Sequence, residues 1–150
     1  LEQLREVASD VALDGALLQN AAAAEFAPKS PGMKYAHYAP RGAMVVVAGD
    51  SAERVIERMR RELAAAAARG AKTGVLAFSE HLPQFEADVA IAYGSLKHPE
   101  EAAGRLYGAL REFDRRGVEV IVAEGWTETG IGLAVMNRLG KAASGRILRV

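Results

Sequence analysis

Short apolar runs alternate with longer amphipathic stretches from residue 43 to the end of this 150-residue chain. Most of the short runs are rich in β-branched residues and stay apolar throughout, which is typical of strands covered on both faces of a parallel sheet. The predicted strands are Ala43–Ala48, Thr73–Phe78, Asp88–Tyr93, Val118–Ala123 and Arg146–Val150. Because these runs alternate with helical patterns, the sequence predicts a Rossmann-like α/β fold, an open, mostly parallel five-stranded sheet with helices on both faces.

The amphipathic stretches between the strands carry helix start and stop signals. Asp50 and Glu53 are spaced as a capping box before the first stretch, and Pro99 suits the first turn of the second. A third predicted helix covers about Gly130–Ala143. Residues 80–87 are too few for a full crossover helix, so we expect a short or irregular connection there. By analogy with other open sheets, we expect the strand order 3-2-1-4-5 with right-handed crossovers.

The residues before the first predicted strand have a different pattern of apolar and polar positions. Residues 1–13 carry apolar positions at helical spacing, as at the end of a preceding folded unit, and the residues after them have no strand pattern. The chain also begins with Leu1 rather than Met, which suggests a fragment of something longer. We therefore expect three parts, namely the end of a preceding domain at 1–13, an extended interdomain linker at 14–42, and an α/β domain at 43–150.

The composition is that of an ordinary globular protein, with 50% hydrophobic and 25% charged residues. The 19 basic and 19 acidic residues cancel. Neither sign gathers into a long block, so we expect no direct binding of nucleic acid and no attraction to an anionic membrane. The apolar runs fall short of a bilayer span, and the absence of cysteine suits a reducing compartment. The sequence therefore predicts a cytoplasmic protein.

Familiar ligand-binding and catalytic motifs are absent from the sequence. The first strand is followed by AGDS rather than a GxGxxG turn, and no GxxxxGK[ST] sequence occurs, so dinucleotide and P-loop sites are not expected. His81 follows the second strand and is interpreted as a solvated loop histidine, since no second histidine or acid stands at metal-ligand spacing. We expect no catalytic residue and no metal ligand in this chain, and we interpret Phe78 and Trp126 as core or covering residues.

The loop EGWTETGIG, residues 124–132, leaves two interpretations open. Its glycines and threonines stand directly before the third helix, where exposed backbone N–H groups could bind an anion or phosphate. The pattern alone favours a simpler interpretation, in which Thr127 or Thr129 caps the helix and the glycines allow close packing of helix and sheet.

The linker stretch SPGMKYAHYAP, residues 30–40, carries an unusual density of polar and aromatic side chains. Its prolines favour turns and extended backbone, and along an extended segment successive side chains face opposite ways. Hydroxyl, imidazole and ammonium groups held in this way can contact a phosphate-bearing ligand. The spacing alone favours the plainer alternative, in which the tyrosines pack on the domain surface and the charged groups stay in water. The two faces are Met33, Tyr35 and His37 on one side and Lys34 and Tyr38 on the other.

Three stretches resemble one protein family, and they occur in that family's order. SPGMKYAHYAP closely resembles the interdomain linker of the two-domain form of threonylcarbamoyl-AMP synthase, commonly S-x-G-M-x-Y-x-H-Y-x-P. GIGLAVMNRLGKAA, residues 130–143, is similar to the family's C-terminal signature helix. LEQLREV, residues 1–7, resembles the end of the YrdC-type catalytic domain that precedes the linker.

The resemblance implies a reaction and a division of labour. The family condenses L-threonine, bicarbonate and ATP, used with magnesium, into threonylcarbamoyl-AMP and pyrophosphate, and the product serves threonylcarbamoyladenosine modification of tRNA. Chemistry in the family belongs to the YrdC-type domain, which would lie upstream of Leu1. The resemblance therefore implies that this chain is an accessory and regulatory C-terminal domain, inactive alone and without a cofactor of its own.

The resemblance also implies that the linker is a lid over the active site. It gives ligand-contacting roles to six residues, namely Ser30, Met33, Lys34, Tyr35, His37 and Tyr38. Where the family often has arginine, this chain has Ala36, which removes one cationic contact to phosphate. The competing interpretation is a stand-alone Rossmann-like module that binds a small anion or a nucleotide.

Overall fold

The structure is a computed structural model that describes residues 39–150, and the six linker residues named above lie outside the described residues. Five strands form one sheet in the order β3-β2-β4-β1-β5, and every neighbouring pair is parallel. This confirms the predicted α/β fold, and each strand lies within two residues of its predicted bounds. The strands are β1 Ala43–Ala48, β2 Thr73–Ala77, β3 Val89–Ala92, β4 Val120–Glu124 and β5 Ile147–Arg149.

Four helices connect the strands, with a short 3₁₀ turn at Leu82–Gln84 between β2 and β3. The predicted short crossover is thereby confirmed. Among the helices of residues 39–150, none combines the length and the apolar character needed to cross a membrane. The helices are α1 Ala52–Ala68, α2 Pro99–Gly104, α3 Leu106–Arg115 and α4 Ile131–Ala142.

Two helix boundaries differ from the sequence-based expectation. The residue that caps α1 is Ser51, whose side-chain oxygen accepts a hydrogen bond of 3.3 Å from the Arg54 backbone N–H. The capping box expected at Asp50 and Glu53 is therefore wrong by one residue. The second predicted helix is divided at Arg105, which ends α2 and precedes α3.

The predicted strand order 3-2-1-4-5 is wrong at one place, because β4 lies between β2 and β1. An apolar run shows that a strand is buried, but it carries no information on which strands pair. β2 is buried at all five positions and β4 at four of five, whereas the edge strands β3 and β5 keep partly exposed positions. The most completely buried strands thus lie inside the sheet, away from its edges.

The connections cover both faces of the sheet, as predicted. Right-handed crossovers place connections that run towards β3 on one face and connections that run back towards β5 on the other. One face packs against α1 and the segment around the 3₁₀ turn, and the other packs against α2, α3 and α4. Each face therefore has its own hydrophobic core. In the core on the α1 face, α1 contributes Val55, Ile56, Met59 and Leu63. In the core on the opposite face, α3 and α4 contribute Leu106, Leu110, Phe113, Val135, Met136 and Leu139.

Gly74 in β2 allows close packing between this strand and Phe113 of α3. A β-carbon at this position would lie 2.7 Å from Cε1 of Phe113 and 2.9 Å from Cγ1 of Val118. The Phe113 ring is fully buried, so it has little room to move aside. Gly108 on the exposed face of α3 provides a contrast, because a β-carbon there would meet nothing within 4 Å.

We expect Gly74→Ala to lower the free energy of unfolding by about 1–3 kcal/mol, because overpacking a close-packed core forces neighbours off their preferred positions. The matched control, Gly108→Ala, should raise it by about 0.5–1 kcal/mol through helix propensity. Urea unfolding followed by the fluorescence of Trp126, the chain's one tryptophan, measures both. Equal effects of the two substitutions would contradict the packing argument.

Candidate functional site

The candidate site lies at the carboxyl edge of the sheet, where β2, β3 and β4 end side by side. The connection after β2 leaves towards the face covered by α1, and the connections after β3 and β4 leave towards the opposite face. Strands whose connections diverge in this way open a crevice at their carboxyl ends, which is where ligands bind in open α/β sheets. We call five residues here the Glu124 cluster, namely Phe78, His81, Tyr93, Glu124 and Trp126.

Glu124 is the last residue of β4 and only 5% exposed. Its Oε1 accepts a hydrogen bond of 3.0 Å from the Phe78 backbone N–H, and its Oε2 lies 2.7 Å from Nδ1 of His81. Burial raises the pKa of the Glu124 carboxyl, and the Phe78 hydrogen bond and the nearby His81 act in the opposite direction. The carboxylate therefore joins the end of β4 to the loop that follows β2.

His81 is oriented by this contact. Its side chain is 17% exposed, so the ring lies largely within the protein. With Nδ1 directed at the Glu124 carboxylate, Nε2 is the ring nitrogen through which His81 can act on a bound group. A carboxylate–histidine pair of this kind can hold a proton or donate a hydrogen bond to an anion.

Three aromatic rings pack against one another next to the backbone of Glu124. The ring centroids of Phe78 and Trp126 lie 4.9 Å apart, those of Phe78 and Tyr93 5.1 Å, and Tyr93 meets Trp126 edge-on at 5.5 Å. Tyr93 is fully buried, and its hydroxyl donates a hydrogen bond of 3.0 Å to the Glu124 backbone carbonyl. Burial, reinforced by the Glu124 charge, raises the pKa of Tyr93, so the hydroxyl stays neutral. The structure confirms that Phe78 and Trp126 are core residues.

A second carboxylate ties the loop after β2 to the loop after β3. The Ser95 hydroxyl donates a hydrogen bond of 2.6 Å to Oε2 of Glu80, and the Leu96 backbone N–H donates one of 2.9 Å to Oε1. These two bonds, that of Ser95 first, lower the pKa of Glu80 to about 2. The Ser79 backbone N–H also donates a hydrogen bond of 2.8 Å to the Gly94 carbonyl. The loops after β2 and β3 thus hold each other in place.

The loop before α4 differs from the favoured interpretation. The residue preceding the helix is Gly130, at φ +56°, and in the described structure no side chain, and so neither threonine, caps this helix. Thr129 takes part through its backbone carbonyl, which accepts a hydrogen bond of 3.0 Å from the Gly132 N–H. A β-carbon at Gly132 would collide with the Thr127 carbonyl oxygen, so this glycine permits a close approach of loop and helix. Anion binding at this loop stays a prediction.

The interpretation of His81 as a solvated histidine is wrong, because its ring is bound to Glu124. The sequence places these two residues after the second and fourth strands, and the expected order kept those strands apart with β1 between them. In the observed order β2 and β4 are neighbours, which brings the two side chains together. Within residues 39–150, no group of three or more acidic or histidine side chains is arranged to hold a metal ion.

A family model described as "Threonylcarbamoyl-AMP synthase, C-terminal domain" matches residues 1–144 of the chain. Among curated proteins, the threonylcarbamoyl-AMP synthase of Bacillus subtilis is 41% identical over 122 residues, and that of Pyrococcus abyssi is 45% identical over 124 residues. Each match covers 81% of this chain and 34% of the relative. The chain thus spans about a third of the length of the curated relatives it matches.

Solved structures agree with the family match. The crystal structure of P. abyssi Sua5 complexed with L-threonine is similar with a TM-score of 0.68 and 43% identity, over 81% of this chain and 34% of that one. The crystal structure of the C-terminal Sua5 domain from Pyrococcus horikoshii has a TM-score of 0.59 and 40% identity, over 75% of this chain and all of that one. The domain described here therefore has the fold of the C-terminal Sua5 domain.

We expect Glu124→Ala to lower the free energy of unfolding by about 1–3 kcal/mol, because the buried Phe78 N–H and His81 lose their partner. Glu124→Gln keeps an acceptor for Phe78 and removes the buried charge, so its effect should be distinctly smaller. Urea unfolding followed by Trp126 fluorescence compares the two variants. Equal losses for alanine and glutamine would show that the hydrogen bond to Phe78 contributes nothing.

The pKa of Glu80 predicts a pH dependence of stability. The Glu80 carboxyl binds a proton less tightly in the folded state than in the unfolded state. Its contribution to the free energy of unfolding is therefore fully present above about pH 4.5 and is lost as the pH falls to about 2. Ser95→Ala removes the hydrogen bond that contributes most to the low pKa of Glu80. The Glu80 pKa should therefore rise, as measured by NMR titration of its carboxyl carbon. Ser79→Ala is the matched control, since the Ser79 contact to Gly94 uses its backbone. A Glu80 pKa unchanged by Ser95→Ala would contradict this assignment.

Proposed function

This chain belongs to the threonylcarbamoyl-AMP synthase C-terminal domain family, and on that premise we propose that it is the accessory domain and lid linker of such an enzyme. The observation that carries the proposal is the family match over residues 1–144, together with relatives of which this chain covers about a third. The remaining two-thirds corresponds to a separate N-terminal domain of the YrdC type. That domain holds the catalytic residues.

The proposed reaction is the condensation of L-threonine, bicarbonate and ATP into threonylcarbamoyl-AMP and pyrophosphate. The name of the curated relatives supports the product, and the P. abyssi structure solved with L-threonine supports one of the substrates. ATP enters with magnesium through the catalytic domain, and the product is consumed in tRNA modification in the cytoplasm. This chain touches the reaction through its linker and binds no nucleic acid itself.

The linker acts as a lid through six residues, namely Ser30, Met33, Lys34, Tyr35, His37 and Tyr38. Their hydroxyl, imidazole and ammonium groups can contact the phosphate and ribose of the bound nucleotide. The product is a mixed anhydride that water hydrolyses, so a lid that excludes water lengthens its lifetime. Lys34 supplies positive charge in a linker where Ala36 provides none.

The domain at 43–150 supports the lid and carries out no chemistry. Its buried pair, His81 and Glu124, joins β2 to β4, and Glu80 joins the loops after β2 and β3. These contacts make the carboxyl edge a fixed surface. One observation favours the second candidate function, a binding module for a small anion or nucleotide: the His81 ring lies at the edge where ligands bind in open sheets.

In the full-length enzyme, Tyr35→Ala and His37→Ala should each lower the rate of threonylcarbamoyl-AMP formation by about 10- to 100-fold, because a lid group that positions the nucleotide is lost. The product should also hydrolyse faster. Both effects are measured by following AMP and threonylcarbamoyl-AMP over time by chromatography. Tyr35→Phe retains the ring and separates its contribution from that of the hydroxyl. His98→Ala, at an exposed histidine before α2, is the matched control.

Unchanged turnover and unchanged product lifetime in both variants would remove the lid role. Isothermal titration of this chain with ATP or AMP separates the two candidate functions. An accessory domain should show no micromolar binding. Micromolar binding that is abolished by His81→Ala would instead support the binding module at the carboxyl edge.

A further inference from the structure

A surface cavity of about 450 Å³ is lined by residues of α4, of β5 and of the turn between them. Its volume is within the range of small-molecule sites, which is roughly 300–1,000 Å³. Met136 and Ile147 line it with apolar side chains, while Asn137, Lys141 and Ser144 bring an amide, an ammonium and a hydroxyl group. The cavity thus combines apolar surface with several hydrogen-bond donors, as ligand sites do.

The three polar side chains follow one side of α4 and the turn after it. Asn137 and Lys141 are four residues apart, so they project from the same face of the helix, and Ser144 follows three residues later. All three residues are exposed. Within residues 39–150, their side chains form no hydrogen bond and no ion pair. Their donor groups are therefore available to a bound molecule.

Ser144 occupies a backbone position at which glycine is the usual residue. Its φ is +55°, and no other residue besides glycine has a positive φ in the described part of the chain. The Gly145 N–H donates a hydrogen bond of 2.7 Å to the Gly140 carbonyl, and the Ser144 N–H donates one of 3.1 Å to the Lys141 carbonyl. These bonds form a Schellman motif with Ser144 at the left-handed position. Because a side chain costs energy in this conformation, ending the helix does not explain a serine here.

A guanidinium group held by an ion pair also lines the cavity. Nη1 and Nη2 of Arg149, in β5, lie 3.2 and 3.0 Å from Oε1 and Oε2 of Glu128, in the loop before α4. This bidentate contact orients the Arg149 side chain and cancels the charge of Glu128. Lys141 is the third charged residue that lines the cavity. The net charge at the cavity is therefore positive.

We propose that this cavity binds the phosphate group of a small phosphorylated molecule. Lys141, Ser144 and Asn137 donate hydrogen bonds to the phosphate oxygens, and the apolar part of the molecule packs on Met136 and Ile147. A phosphate group offers negative charge and several acceptor oxygens, which match an ammonium, a hydroxyl and an amide group. The last turn of a helix also favours a cation, so the charge of Lys141 serves both the helix and the ligand. The site shares no residue with the Glu124 cluster.

The test is an NMR titration of the ¹⁵N-labelled 150-residue chain with phenyl phosphate, a phosphate monoester with an apolar ring. We expect saturable shifts of the backbone amide signals of residues 136–149, and tighter binding than that of inorganic phosphate, because the ring packs on apolar side chains. Lys141→Ala should weaken binding by about tenfold or more, since a charge-assisted hydrogen bond is lost. Lys141→Arg keeps the charge and should retain most of the affinity.

Ser144→Gly separates the hydroxyl group from the backbone conformation. It should weaken binding by about threefold or more, because one neutral hydrogen bond is lost. It should also raise the melting temperature of the free chain by about 2–4 °C, because glycine adopts a positive φ without strain. Unchanged affinity in this variant would show that the hydroxyl group does not contact the phosphate and would overturn its assigned role.

Arg138→Ala is the matched control, because Arg138 is an exposed cation of the same helix that does not line the cavity. In about 0.15 M salt, which screens charges outside the cavity, it should leave the affinity unchanged. Equal weakening by Arg138→Ala and Lys141→Ala would overturn the proposal, as would equal affinity for benzoate, a carboxylate with the same ring. An absence of saturable shifts would overturn it as well. Shifts confined to the Glu124 cluster would do the same and would support a binding module at the carboxyl edge.

Discussion

The pairing of β4 with β2 on one side and β1 on the other is the constraint on which both the carboxyl and the amino edges of the sheet depend. At its carboxyl end, Glu124 binds the backbone after β2 through Phe78 and meets His81. At its amino end, the Glu119 backbone accepts the hydrogen bond that starts β1, and its side chain accepts one from the Lys72 N–H before β2. A strand paired along both edges can fix its neighbours at both ends, which an edge strand cannot do.

The buried carboxylate of Glu124 shows how the polar edge and the apolar core are joined. A charge that is removed from water destabilises a fold unless hydrogen bonds or a countercharge compensate for it. Glu124 accepts a hydrogen bond from a backbone N–H on one carboxylate oxygen and contacts a histidine ring with the other. The same contacts that compensate for the burial of Glu124 join the end of β4 to the loop after β2. Rigidity at this edge is thus a direct result of satisfying one buried group.

Local patterns predict the elements well because periodicity and capping act over a few residues. The run Ala43–Ala48 was predicted and observed with identical bounds, and the α1 cap differs by one residue. The strand order depends on pairing between distant segments, which no local pattern encodes. His81 and Glu124 are 43 positions apart, so their contact follows only once β2 and β4 are known to be neighbours. The hydrogen bond from the Arg41 backbone N–H to the Asp114 carboxylate spans 73 positions and escaped prediction for the same reason.

The lengths of the strands bear on how this domain behaves beside other proteins. The edge strands have four and three residues, whereas the three strands between them have five or six. Short edge strands leave few unpaired backbone N–H and C=O groups for a strand of another molecule to bind. In addition, Arg149 places a charged side chain on the edge strand β5. Two copies of the domain at 43–150 accordingly have few free backbone groups through which to join their sheets. The geometry that leaves the central strands fully paired thus also limits edge-to-edge association of the sheet in residues 39–150.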